Sequence, residues 1–264
     1  MDLKSKIKSL IITGYGINCE EELASAYRLS EAICDISHIS SILSGEISIH
    51  NYDVLNFPGG FSFGDNLGSG KVLANKIFYR KLSNGKPFTT EIDRFLDEGK
   101  YIIGICNGFQ ALVKMGLLPA IKNRWLQEVS LFRNSNFRFI DKWCKLKLED
   151  EQQIISMPIR HGEGRLIIKD DEIKQEIIRR KLNFISYYGE NPNGSELNCA
   201  GLTDVTGRVI GMMPHPEAFL SMYNNPEWGT FKRDETHPKA DGLEFIRKLV
   251  AKIELSANYH NPNN

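Results

Sequence analysis

The sequence lacks any apolar run near the ~20 residues needed to span a bilayer, and it lacks excess charge of either sign. Its 264 residues carry 33 Lys+Arg against 33 Asp+Glu. That balance speaks against nucleic acid, an acidic polymer or a membrane surface as the main partner. It has no C-x-x-C pair. The five cysteines, Cys19, Cys34, Cys106, Cys144 and Cys199, are odd in number and widely spaced, which speaks against a disulfide framework or a zinc–thiolate cluster. Internal repeats are absent, as is low-complexity sequence apart from a polar stretch at 258–264. The start, MDLKSKIKSLIITG, has lysines but too short an apolar run for a signal peptide. It reads as a polar tail entering a first core strand, and a cytoplasmic location is expected.

What is present is an ordinary globular composition with enough length for a full core. Residues 9–13, 34–39, 54–57 and 102–105 read as short buried strands, and 20–31, 71–78, 90–98 and 108–115 as amphipathic helices. Strands alternating with helices imply an α/β fold with a mostly parallel central sheet flanked by helices. The middle changes character. Residues 129–134 and 137–148 read as antiparallel strands around an N-S-N turn, and 154–159 and 165–168 flank a glycine-bearing turn, H-G-E-G. A helix at 170–180 and strands at 184–188, 199–203 and 209–212 follow, so an antiparallel strand extension is expected. A final helix covers 242–255, and the aperiodic stretch 224–240 is a loop or lid candidate. No linker is visible, so 1–264 reads as a single domain.

Residues 101–110 read Tyr-Ile-Ile-Gly-Ile-Cys-Asn-Gly-Phe-Gln. A buried strand ends in G-x-C-x-G and a helix starts at once, the thiol form of a nucleophile elbow. Turning from strand to helix within one residue strains the backbone at Cys106. Gly104 and Gly108, without Cβ atoms, let strand and helix approach. The thiol then projects above the carboxyl ends of the strands, where open α/β sheets bind ligands. The helix N-terminus behind it favours a thiolate. The alternative for the same residues is a buried core cysteine between two turn glycines.

A cysteine nucleophile needs a base, and the base needs an orienting group. His215 lies in Met-Pro-His-Pro-Glu, clamped between two prolines. Glu217, two residues on, leaves an extended chain from the same side as His215 and can fix its tautomer. An ordinary surface turn with a solvated glutamate is the alternative here. An oxyanion hole needs preorganised N–H donors. Asn107, next to the nucleophile, supplies one, and the diglycine in Pro58-Gly59-Gly60-Phe61-Ser62 suits the other. The glycines at 64–70 do not make a phosphate loop, because Asp65 and Val72 stand where a Gly and a Ser or Thr belong.

P-G-G-F-S, G-I-C-N-G-F-Q and M-P-H-P-E, in this order, resemble class I (triad) glutamine amidotransferases, whose fold is flavodoxin-like. G-G-F-S-F-G-D, C-N-G-F-Q, H-G-E-G-R, N-P-N-G and G-R-V-I-G-M-M-P-H-P-E narrow the resemblance to the glutaminases of phosphoribosylformylglycinamidine synthase, an enzyme of purine biosynthesis. The resemblance runs from Gly16-Ile17-Asn18-Cys19-Glu20 to the final helix. It implies Cys106 as nucleophile, His215 as base and Glu217 as its partner, with Gly60 and Asn107 as oxyanion donors. Gln110 and the stretch Arg133-Asn134-Ser135 would contact the glutamine substrate. His161 and Glu163 would lie near the pocket or where ammonia leaves. It implies no metal and no cofactor on this chain. ATP and Mg would sit on a separate synthetase subunit, with a small accessory subunit completing the assembly. Ala218 where the family often has Arg, Gly14-Tyr15-Gly16 in place of a proline-bearing start, and a long 225–239 segment depart from the pattern. They bear on docking rather than on the triad. Four other readings stay in view: a glutaminase serving another synthetase, a related cysteine hydrolase, a non-catalytic docking subunit, and a metal site built from His161, Glu163 and His215.

Overall fold

The structure is a computed structural model that describes residues 7–230 and 240–260. Five short, mostly apolar segments form the parallel part of its main sheet. These are β1 (Lys8–Thr13), β2 (Ile33–His38), β3 (Val54–Phe57), β4 (Tyr101–Ile105) and, far along the chain, β11 (Val209–Met212). They lie in the order β2-β1-β3-β4-β11, all parallel. β3 and β4 are buried at every position, as parallel strands covered on both faces must be. The one polar residue among them, Asn56, is fully enclosed and satisfied. It accepts from Tyr27 Oη at 2.7 Å and donates to Ser9 Oγ at 2.9 Å and to the Leu10 carbonyl at 3.2 Å.

Helices α1 (Glu20–Leu29), α2 (Ile39–Ser44), α3 (Lys71–Phe78), α4 (Phe88–Asp97) and α5 (Asn107–Lys114) connect or flank this half. Their buried residues recur at helical spacing, for example Phe88, Ile92, Phe95 and Leu96 on α4. No described helix is long and apolar enough to cross a membrane.

The second half adds β5 (Val129–Arg133), β6 (Ile140–Leu148), β7 (Gln153–His161), β8 (Glu163–Ile168), helix α6 (Asp171–Arg179), β9 (Asn183–Tyr187), β10 (Cys199–Thr203) and helix α7 (Asp241–His260). From β11 the main sheet continues antiparallel through β10, β9, β6 and β7, so the expected antiparallel extension is present. Of the 224–240 stretch, short 3-10 turns at Met222–Asn224 and Trp228–Thr230 frame the start. Residues 231–239, and the tail from 261, lie outside the described residues.

Two local expectations are corrected. β5 and β6 do not form a hairpin around N-S-N. β5 pairs antiparallel with β8 in a separate two-stranded sheet, while β6 pairs over nine residues with β7. The reason is visible at Asn134. Its N–H donates to the Gly162 carbonyl at 3.0 Å, and its side-chain amide donates to the Arg138 and His161 carbonyls at 2.9 and 2.8 Å. The N-S-N segment is tied to H-G-E-G instead of folding back on itself. H-G-E-G, in turn, does not reverse the chain. Gly162 alone separates β7 from β8, and the chain passes there from one sheet to the other.

α5 lies so close on β3 that a Cβ on Gly108 would fall 1.8 Å from the Phe57 carbonyl oxygen, which is backbone and cannot swing away. Gly108→Ala should therefore cost more than the ~1–3 kcal/mol of ordinary overpacking. Urea denaturation should show a lowered midpoint or no folded protein. A midpoint within experimental error of the parent would contradict this close approach.

Candidate active site

The carboxyl ends of β1, β3, β4 and β11 release four loops at one edge of the sheet. They carry Cys19, Gly60, Cys106 and His215, in the crevice position where open α/β sheets hold ligands. Cys106 follows β4 directly and caps α5, with φ +50° and ψ −104°. A positive φ is uncommon for a residue with a side chain. It is held here by the Cys106 N–H donating to the Met212 carbonyl at 2.7 Å and by the Gln110 N–H donating to the Cys106 carbonyl at 3.0 Å. The thiol is 5% exposed and donates weakly to the Arg160 carbonyl at 3.6 Å.

His215 and Glu217 are each 3% exposed. The His215 N–H donates to the Pro158 carbonyl, fixing this segment against β7. His215 Nδ1 meets Glu217 Oε1 at 2.6 Å. With Nδ1 engaged, Nε2 is the ring nitrogen left for Cys106, and it is buried without a hydrogen-bond partner. Burial opposes a charged imidazole. The Glu217 carboxylate and the Cys106 sulfur outweigh it and hold His215 well above its ordinary value. A base that readily takes up a proton thus sits beside a thiol.

The diglycine loop packs onto the loop after β1. The Asn18 and Cys19 N–H groups donate to the Gly59 carbonyl, and the Phe61 N–H donates to the Gly16 carbonyl. Gly60 has φ +141°, and a Cβ there would meet the Gly16 carbonyl oxygen at 2.7 Å. These bonds use the groups on either side of the Gly60 N–H. Asn107 adds a side-chain link the sequence did not suggest: its Oδ1 accepts from the Ser62 N–H at 3.2 Å, joining the elbow to the diglycine loop.

Gln110 and Asn134 are buried and their amides are committed within the protein. Gln110 Oε1 accepts from Asn107 Nδ2 at 3.0 Å, and its Nε2 donates to the Glu163 carbonyl. Besides its two amide donations, Asn134 accepts from His161 Nδ1 at 3.0 Å. Their side chains therefore brace the wall between α5, β5 and the β7–β8 junction, and only Ser135 of these three has an exposed side chain.

His161 is 3% exposed, and burial, aided by the charge of His215, pushes it down to about 3. It is a neutral imidazole whose Nε2 is buried without a partner. Glu163 turns the other way. It accepts from the Ser69 N–H at 3.0 Å and lines a cavity of about 560 Å³ with Asp65, Lys71, Lys114 and Arg133. His161, Glu163 and His215 are thus not gathered as a metal site. Among the described residues, the group of three side chains of ligating type whose donor atoms all lie within 4.8 Å of one another is Cys19, His215 and Glu217. Cys19 is the residue that sequence reasoning missed. Its signal was its place at the end of the loop after β1, the same sheet edge as Cys106.

Residues 6–248 match the CobB/CobQ-like glutamine amidotransferase domain family, and the chain belongs to it. Within it, the chain is 34% identical to the phosphoribosylformylglycinamidine synthase subunit PurQ of Methanococcus maripaludis, over 96% of this chain and 97% of the relative. It is also 34% identical to that of Dehalococcoides mccartyi, over 93% and 97%. These place it in the family of PurQ subunits. A solved structure of PurLQS from Thermotoga maritima superposes with a TM-score of 0.68 at 26% identity, covering 94% of this chain and all of that one.

The low value of His161 carries a sign. In the unfolded chain an imidazole binds a proton below about pH 6.5, and in the folded protein only near pH 3. Between those values the unfolded state holds the extra proton. Stability from this residue is complete above pH 6.5 and falls by ~1.4 kcal/mol per unit as pH drops through the window. In His161→Gln, the slope of unfolding free energy against pH between about 4 and 6 should decrease by roughly one proton. An unchanged slope would mean that His161 is not held neutral.

Proposed function

We propose that this chain is the glutaminase subunit of a phosphoribosylformylglycinamidine synthase, with Cys106, His215 and Glu217 as its catalytic triad. The observation that carries the reading is the buried His215–Glu217 pair at 2.6 Å beside a thiol on a strained strand–helix turn. The 34%-identical relatives named as PurQ subunits support the assignment of the synthase.

The Cys106 thiolate attacks the side-chain amide carbon of glutamine. The oxyanion that forms rests on the Gly60 and Asn107 N–H groups. His215, protonated and steadied by Glu217, gives its Nε2 proton to the departing ammonia, leaving a thioester on Cys106. His215 then takes a proton from water, which hydrolyses the thioester to glutamate and frees the thiol. Gln110, Asn134 and Ser135 form the substrate wall, Ser135 through an exposed side chain and the other two through the backbone they hold. The cavity beside Glu163 sets Lys71, Lys114 and Arg133 against Asp65 and Glu163. That mix of charges is what the ammonium and carboxylate of an amino acid require.

Ammonia then passes to a separate synthetase subunit, which uses ATP and Mg to convert formylglycinamide ribonucleotide to its amidine, and a small accessory subunit completes the complex. The chain itself works without metal or cofactor, in the cytoplasm. His161, neutral beside the nucleophile's segment, fits a route by which ammonia leaves unprotonated.

Cys106→Ala should abolish glutamine-dependent synthesis by the assembled enzyme and leave ammonia-dependent synthesis intact. Retained glutamine use would overturn the nucleophile assignment. Glu217→Gln should lower kcat by ~10²–10⁴, the range expected when the base loses its orienting carboxylate, with a smaller change in KM. The isolated chain should show weak glutaminase activity that the synthetase stimulates; full activity alone would refute the coupling.

A further inference from the structure

We propose that Cys19, His215 and Glu217 form a binding site for Zn²⁺, a thiophilic divalent cation, through which the ion reversibly shuts off the glutaminase. Sulfur, nitrogen and carboxylate oxygen together are the donor set of zinc rather than of magnesium or calcium. The three ligand atoms lie within 4.8 Å of one another. Glu217 Oε2 is buried with no hydrogen-bond partner, so the carboxylate has a free donor already desolvated.

Gly59 is what lets the thiol and the imidazole come together. A Cβ built there would lie 3.2 Å from Cys19 Sγ, 2.8 Å from His215 Cε1 and 3.4 Å from His215 Nδ1. The hydrogen that glycine carries instead lets the thiol and the imidazole share this side of the loop without that crowding. With zinc bonds of ~2.0–2.3 Å, neighbouring donors in a tetrahedral site stand roughly 3.3 Å or more apart. The His215–Glu217 contact of 2.6 Å would open by less than an ångström, and Cys19 would close in. Cys19 is half-buried, has a weak contact to Asn18 Oδ1 at 3.4 Å, and already faces the His215 imidazole that would share the metal.

Charge favours the same arrangement. Zn²⁺ with one thiolate and one carboxylate is neutral, as a buried site requires. Binding releases the Cys19 thiol proton and the His215 Nδ1 proton. His215 then keeps Nε2–H, but its Nδ1 is held by the metal instead of the carboxylate. A neutral metal-bound imidazole is a far weaker acid than imidazolium. It cannot deliver a proton to departing ammonia, so the reaction stops while Cys106 itself stays uncoordinated.

The inhibition rests on the glutaminase reading above; the binding does not, and the test separates them. The full chain carrying Cys106→Ala is titrated with Co²⁺ as a spectroscopic stand-in. The expected result is one equivalent bound, with a thiolate-to-cobalt charge-transfer band in the near ultraviolet that Zn²⁺ abolishes by displacement. Adding Cys19→Ser should remove the band; if that variant does not fold, as read by circular dichroism, Glu217→Gln in the Cys106→Ala chain should weaken cobalt binding instead. In the enzyme with Cys106 intact, Zn²⁺ should inhibit glutamine hydrolysis and a chelator should restore it. Cys19→Ser should reduce that sensitivity by at least the roughly 10–100-fold that losing even an outer-shell partner costs. Absence of the thiolate band in Cys106→Ala, or its persistence without Cys19, would overturn the proposal. If binding is as expected but glutamine hydrolysis is absent at any metal level, the functional reading fails and the site stands.

Discussion

The turn at Cys106 is the constraint on which the rest of the site depends. A residue with a side chain held at φ +50° stores of order 1–3 kcal/mol, so the surroundings must leave it no alternative. They do so from three sides. The Met212 carbonyl takes the Cys106 N–H, the first turn of α5 takes its carbonyl, and Gly104 and Gly108 allow α5 to lie directly on β4 and β3. The turn that raises the thiol above the sheet edge therefore accounts for two of the glycines.

Around this turn the protein manages charge by burial. His215 is buried yet favours its proton, because a carboxylate is 2.6 Å away. His161, buried near it, has only an amide oxygen as partner and refuses one. Two imidazoles in one region are thus set to opposite protonation states by what they touch. Asn134 positions the second of these imidazoles. Its oxygen fixes the His161 tautomer, while its amide nitrogen ties β5 to the β7–β8 junction. Its side chain holds that imidazole in place, while burial and the charge of His215 keep the ring neutral.

Much of the parallel half was legible because its signals are local. A buried run of four or five residues, a glycine before and after a cysteine, and an amphipathic stretch each fix their own element, and β3, α3 and β11 fall where the pattern puts them. The antiparallel half was less legible. β5, β6, β7 and β8 are all competent to pair by propensity, and adjacency along the chain suggests the wrong hairpin. Which strands meet is settled by contacts of high sequence separation, such as Asn134 with Gly162 and Ser135 with Asn193.

The sequence by itself determined the strand–cysteine–helix turn and the pairing of His215 with Glu217, since each of these follows from residue types a few positions apart. Only the tertiary structure decided what surrounds them. That Cys19 stands against His215, that His161 is neutral, and that Gln110 and Asn134 brace the wall all depend on burial and on distances between segments 27 to almost 200 residues apart. Desolvation and close packing act through space, and spacing along a chain does not record them.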